Sequence, residues 1–129
     1  MNTNKITILF VEDNEDIRDF VGNKLKKSGY SVSAAENGFI ALNILKAGFA
    51  PTVLPDVIVT DLEMPVMCGR EFVRKLKDDE DLNLIPVILF SSHPDAKILA
   101  EELGFDAHLP KFADISAVEE TISNLLKPH

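Results

Sequence analysis

Short apolar segments alternate with helical patterns along the whole chain, and this alternation constrains the fold more than any other feature. The apolar segments are residues 6–11, 31–35, 56–60, 86–90 and 107–109. The first, third and fourth are almost continuously apolar, which is typical of parallel strands covered on both faces. The last is short, and we predict a strand there mainly from its place in the alternation. Together the segments predict five strands of an α/β fold.

Five helical patterns lie between and after these strands. The first has apolar residues at helical spacing, and Asn14 is placed to cap it; its predicted inward face is Ile17, Phe20, Val21 and Leu25. The fourth is predicted to begin at Pro94, since proline favours the first helical position. The fifth is predicted from about Asp114 to Leu126. Five strand–helix repeats favour a doubly wound parallel sheet with helices on both faces.

The composition predicts one compact domain over residues 1–129, with no linker dividing it. The longest irregular connection is residues 47–56, which contain two prolines. Thirteen Lys and Arg face 21 Asp and Glu, giving a net charge of −8. Such a surface repels nucleic acid phosphates and anionic membranes, so we expect direct binding to neither.

The single cysteine, Cys68, excludes an internal disulfide and a cysteine zinc cluster. It is therefore expected to be structural, in a reducing compartment. The first sixteen residues lack the pattern of a signal peptide. No apolar run approaches the roughly 20 residues of a membrane span. These features predict a soluble, cytoplasmic protein.

Polar side chains follow four of the five predicted strands, at the sheet edge where open parallel sheets bind ligands. They are Glu12, Asp13, Asp61, Ser91, Ser92 and Lys111. Taken singly, each has an ordinary explanation as a solvated acid, a turn residue, a helix cap or a surface lysine. Taken together, three acids at one edge would repel one another unless a cation were present.

A hard divalent ion such as Mg²⁺ takes oxygen ligands and would neutralise the three acids. The lysine would then contact a further anion. Acids, Mg²⁺, lysine and a hydroxyl at one edge form a site suited to phosphoryl transfer.

Four motifs in register with the strands carry a family resemblance. They are "FVEDNEDIR" (10–18), "PDVIVTDLEMPVMCG" (55–69), "IPVILFSS" (85–92) and "LPK" (109–111). In this order and spacing, the chain resembles the receiver domain of two-component response regulators, over essentially its whole length. The resemblance implies a five-stranded sheet of flavodoxin-like order 2-1-3-4-5 with five helices.

The resemblance also implies a role for each site residue. Asp61 would be the phosphoacceptor, taking a phosphoryl group from a phosphohistidine. Asp13 and Asp61 would bind Mg²⁺ directly, Glu12 through water, and Glu63 through its backbone carbonyl. Lys111 would contact the phosphoryl oxygens. Ser91 would move to hydrogen-bond the phosphoryl group.

Two positions depart from the family pattern, and both concern signal transmission rather than phosphorylation. The family usually has an aromatic residue on the last strand that swings inward as the hydroxyl moves, and here that position is His108. A switching histidine and an ordinary half-exposed strand histidine are both compatible with the sequence. The proline that usually follows the lysine is replaced by Phe112.

The leading hypothesis is a phosphorylation-activated switch that catalyses only its own phosphorylation and dephosphorylation at Asp61. Its phosphodonor would be a sensor histidine kinase or a phosphotransfer protein. From the chain length we expect no attached output domain. The output would then be a protein partner docking on the face formed by helix 4, strand 5 and helix 5, with the chain monomeric or weakly dimeric.

Two alternatives remain. A degenerate receiver would bind its partner without phosphorylation, and His108 and Phe112 keep this possibility open. A small Mg²⁺-dependent phosphatase with an aspartyl nucleophile would need a second Asp two residues after Asp61, where the chain has Glu63.

Overall fold

The computed structural model describes residues 5–47 and 54–127, and strands and helices alternate through them. The strands are β1 (Thr7–Val11), β2 (Ser31–Ala35), β3 (Val57–Thr60), β4 (Val87–Phe90) and β5 (Ala107–Leu109). The helices are α1 (Glu15–Lys27), α2 (Gly38–Lys46), α3 (Gly69–Asp78), α4 (Ala96–Leu103) and α5 (Ile115–Leu126). The predicted α/β alternation is confirmed. The predicted connection at 47–56 falls mainly on residues 48–53, outside the described residues.

All five strands form one parallel sheet in the order β2-β1-β3-β4-β5. The doubly wound sheet and its order 2-1-3-4-5 are therefore confirmed. Strands β3 and β4 are buried at every residue, and β1 at all but its first. This two-sided burial explains their continuous apolar sequence.

The helices cover both faces of the sheet, as predicted. One core cluster joins residues of α1 and α5 to one face, and these include Leu25, Val118 and Ile122. The other joins α2, α3 and α4 to the opposite face, through residues such as Leu42, Phe72 and Ala100. Among the described helices, none has both the length and the apolarity to cross a bilayer.

Three helices begin with a side-chain cap. Asn14, Asn37 and Asp114 each accept a hydrogen bond of 2.9 Å from the backbone N–H three residues later. Each cap satisfies an N–H that has no partner within its helix. Helix α3 differs, because its N-cap residue Cys68 makes no such bond.

Two local predictions were wrong. Helix α4 begins at Ala96 rather than Pro94, since Pro94 lies in a turn that the ring nitrogen Nδ1 of His93 closes by accepting the N–H of Asp95 at 2.9 Å. Phe20 is 57% exposed instead of facing the core. The Lys24 amine lies 4.9 Å from its ring centroid, so a cation–π contact covers part of the exposed ring.

Candidate functional site

Three acidic side chains meet at the carboxyl ends of β1 and β3. Because Val11 lies opposite Thr60 in the sheet, the residues that follow them emerge side by side. Glu12, Asp13 and Asp61 each place one carboxylate oxygen within 4.8 Å of the others. Glu12 and Asp61 are buried and Asp13 is exposed, so the cluster opens to solvent on one side.

Lys111 lies between two of these acids. Its Nζ donates a hydrogen bond to Asp61 Oδ2 at 2.8 Å and forms an ion pair with Glu12 Oε1 at 3.0 Å. The ion pair with the lysine is the one polar contact of the buried Glu12 Oε1 within the described residues. One lysine therefore does not saturate the acidic cluster.

The environment shifts the pKa of both buried partners. Burial raises the pKa of Glu12, and the Asp61 charge adds to this, while the N–H of Asn14 and the contact with Lys111 partly oppose it. Burial alone would lower the pKa of Lys111, but its contacts with Asp61 and Glu12 outweigh burial and raise that pKa. The lysine thus stays protonated, and the cluster favours additional positive charge.

The donor set fits a hard divalent cation. Three carboxylates converge around a single lysine amine, and Asp13 is open to solvent. Mg²⁺ prefers such oxygen ligands and retains several of its own waters. The side chain of Glu63, two residues after Asp61, is exposed.

The loop after β3 is held close to Asp61. The N–H of Leu62 donates to Asp61 Oδ1 at 2.7 Å, and the N–H of Gly69 donates to the Leu62 carbonyl at 2.7 Å. A Cβ atom at Gly69 would overlap the Asp61 carbonyl oxygen, so only glycine permits this approach. Between these points Val66 has a φ of 69°, and the Met67 N–H donates to the Pro65 carbonyl at 2.7 Å.

The remaining predicted residues lie on the β4–β5 side of this sheet edge. Ser91 is buried, and its hydroxyl accepts the N–H of His93 at 3.1 Å, a bond within its own loop. The Ser92 hydroxyl accepts the backbone N–H of Lys111 at 3.2 Å. His108 is half-buried opposite Leu89.

Two residues at the site were not found from the sequence. The Thr60 hydroxyl is buried and donates to the Asp61 carbonyl at 2.9 Å. Arg18, on α1, donates from a guanidinium nitrogen to the Glu12 carbonyl at 2.7 Å. A cation in the first turns of a helix is electrostatically unfavourable, and that was the one signal in the sequence that pointed to Arg18.

Comparisons with known proteins agree on one family. A family model described as the response regulator receiver domain matches residues 8–123. Histidine kinase P4 of Formosa agariphila is 36% identical over 95% of this chain, and the chain spans only 9% of that protein. The polar-differentiation response regulator DivK of Brucella anthropi is 30% identical over 93% of this chain and 95% of its own length.

Solved structures show the same similarity. The crystal structure of the Mn²⁺-bound form of response regulator Rcp1 superimposes with a TM-score of 0.70 and 26% identity. The match covers 92% of this chain and 90% of that one. The sequence and structural comparisons thus agree over nearly the whole described fold.

Proposed function

This chain belongs to the response regulator receiver domain family of two-component signalling, and from that premise we propose that it is a phosphorylation-activated switch. The phosphoacceptor is Asp61, and the donor is a phosphohistidine of a sensor histidine kinase or a phosphotransfer protein. The observation that carries the proposal is the position of Asp61, a buried carboxylate in direct contact with Lys111 and beside two further acids. The whole chain, residues 1–129, is proposed to act as one receiver domain, and its cytoplasmic location remains a prediction.

The proposed reaction transfers one phosphoryl group. A carboxylate oxygen of Asp61 forms the new O–P bond while the N–P bond of the phosphohistidine breaks. The electron pair of the broken bond leaves with the imidazole nitrogen of the donor. Lys111 contacts the phosphoryl oxygens and offsets their negative charge. The bond from the Leu62 N–H to Asp61 Oδ1 keeps the carboxylate in a fixed orientation.

Mg²⁺ is the proposed cofactor, held by Asp13, Asp61, the Glu63 backbone carbonyl and, through water, Glu12. When bound, it neutralises charge on the phosphoryl oxygens. The close spacing of the three carboxylates supports this assignment, as does the Mn²⁺ bound by the related Rcp1.

The proposed output is a changed docking surface. The Ser91 hydroxyl, which accepts the His93 N–H, would move to donate its hydrogen to a phosphoryl oxygen. His108 is at the position proposed to respond. The docking face is proposed to be α4, β5 and α5, where Ile98 is 54% exposed. A net charge of −8 favours a protein partner over nucleic acid or an anionic membrane. We propose a monomer that dimerises at most weakly on phosphorylation.

The test is covalent labelling in the presence of Mg²⁺ with acetyl phosphate or a phosphoramidate. We expect a mass increase of one phosphoryl group that is labile to alkali and absent in Asp61→Asn. The matched control is Asp56→Asn, which alters an exposed carboxyl at the other end of β3 and should label normally. Labelling that persists in Asp61→Asn would contradict the assignment.

Two other outcomes would select the alternatives. No labelling of the folded chain by any donor would favour a module that docks without phosphorylation. Repeated turnover of a phosphomonoester would favour a phosphatase, for which Glu63 stands where a second aspartate is required.

A further inference from the structure

Arg18 contacts the backbone of the acidic pair rather than any acidic side chain. Its guanidinium nitrogen Nη1 lies 2.7 Å from the Glu12 carbonyl oxygen and 3.4 Å from that of Asp13. Among residues 5–47 and 54–127, no carboxylate forms an ion pair with it. The half-buried side chain thus reaches back from α1 across the β1–α1 loop.

This contact completes the restraints on that loop. The Glu12 N–H donates to the Ala35 carbonyl at 3.0 Å, and the Asn14 N–H donates to Glu12 Oε2 at 3.1 Å. Arg18 adds a charged donor to the carbonyl of the intervening Glu12–Asp13 peptide, and a longer contact to the carbonyl of the Asp13–Asn14 peptide. With the carbonyls held toward α1, the carboxylates of Glu12 and Asp13 lie beside Asp61.

The loop needs such a restraint because the three acids repel one another. Rotation of the Glu12 or Asp13 peptide would relieve that repulsion and disperse the ligands. A hydrogen bond from a charged donor resists this rotation more strongly than one from a neutral donor.

We propose that Arg18 is a positioning residue for the divalent-cation site, holding the Glu12 and Asp13 carbonyls so that their carboxylates converge with Asp61. The inference rests on the proposed function, because it assumes that the acidic cluster binds a cation. Arg18 itself touches neither the cation ligands' carboxylates nor the reacting atoms.

The sign of the mutational effect separates this role from simple electrostatics. By charge alone, removing a cation near the site would strengthen Mg²⁺ binding. Removing a positioning residue would weaken it, because outer residues that orient metal ligands typically contribute about 10–100-fold in affinity. The two explanations therefore predict opposite changes.

The experiment is calorimetric titration of Mg²⁺ into metal-free protein, without a phosphodonor. Arg18→Met keeps the length of the side chain and removes its donors, and we expect about 10-fold weaker binding. The charge-matched control is Arg74→Met, exposed on α3, which should stay within about twofold of the unmutated chain because salt screens a solvated surface charge. Wild-type or tighter binding by Arg18→Met would overturn the proposal.

A second variant keeps the test decisive if Arg18→Met does not fold. Arg18→Lys retains the charge but loses the planar fork of donors, so we expect binding weakened by about threefold or more. Unchanged affinity in that variant would then count against a positioning role. If the unmutated chain binds no Mg²⁺, the cation part of the proposed function fails together with this inference, whereas unaltered binding in the Arg18 variants overturns this inference alone.

Discussion

The two halves of the sheet edge that carries the site are held together in different ways. The acceptor half, comprising Glu12, Asp13, Asp61 and Lys111, is joined by side-chain contacts between residues far apart in sequence, such as the 2.8 Å bond from Lys111 to Asp61. The switch half comprises Ser91, His108 and Phe112. There the Ser91 hydroxyl bonds only two residues along the chain, and Phe112 is 77% exposed.

If the proposed function holds, this difference separates the phosphorylation chemistry from the response to it. Contacts between distant segments form only when the sheet is complete, so the folded chain presents an ordered acceptor half. A local bond such as that of Ser91 can exchange its partner without disturbing any strand. We infer that folding energy fixes the proposed phosphoacceptor, while the proposed switch half keeps the freedom to change.

The largest expected effect comes from breaking the acceptor half at Lys111. Lys111→Met leaves Glu12 and Asp61 without their shared cation, and we expect a loss of about 2–3 kcal/mol in the free energy of unfolding. This is below the ~3–5 kcal/mol of a fully buried pair because the Lys111 side chain is 19% exposed. Urea unfolding at pH 7 in metal-free buffer measures it. Lys97→Met, on the exposed face of α4, is the charge-matched control.

The same variant should respond to pH in a defined direction. Burial raises the pKa of Glu12 above its ordinary value of 4.5, so protonation of Glu12 favours folding. The stabilisation that comes from protonated Glu12 is fully present below pH 4.5 and is lost as the pH rises through the folded-state pKa of Glu12. Lys111 lowers the pKa of Glu12, so without Lys111 the protonated form of Glu12 persists to higher pH. The loss should therefore be smaller at pH 5 than at pH 7, and an equal loss at both would contradict the role of Glu12.

Backbone strain in the loop that follows Asp61 can be tested at Val66. With a φ of 69° and an exposed side chain, Val66 is the one non-glycine residue of positive φ in the described part of the chain. Such strain costs about 1–3 kcal/mol, and glycine loses about 0.5–1 kcal/mol through its flexible unfolded state. We expect Val66→Gly to raise the free energy of unfolding by about 1 kcal/mol. Leu84→Gly, exposed but without positive φ, should lower it, and a similar loss in both would exclude strain at Val66.

A smaller gain in the free energy of unfolding is expected from a substitution at the start of α3. Cys68 has the extended backbone of an N-cap residue but makes no side-chain cap bond. Cys68→Ser supplies a hydroxyl acceptor of similar size, and we expect a gain of about 0.5–1 kcal/mol by thermal or urea unfolding. Asn14→Ala, which removes an existing cap, should lose about 1 kcal/mol and calibrates the scale. No gain in the serine variant would show that the loop holds position 68 out of capping geometry.

A structural feature can be predicted from the sequence where it imposes a pattern of residue types. Two-sided burial makes β1, β3 and β4 continuously apolar, so their positions were found to within a residue. The convergence of the acids followed from the rule that parallel strands end at one edge. The start of α4 depends on a hydrogen bond to a ring nitrogen of His93. Arg18 binds a main-chain carbonyl. Neither contact leaves a periodic pattern in the sequence.

The smallest expected change in the free energy of unfolding is in the switch half, at Phe112. Phe112→Ala should change the free energy of unfolding by less than about 0.5 kcal/mol, because a side chain that is 77% exposed contributes little packing. Phe90→Ala, at a side chain of β4 that is only 3% exposed, should cost about 3–5 kcal/mol. If Phe112→Ala instead destabilised the fold by more than about 1 kcal/mol, the switch half would be as firmly held as the acceptor half. The residues that change conformation on phosphorylation would then be expected elsewhere along the sheet edge.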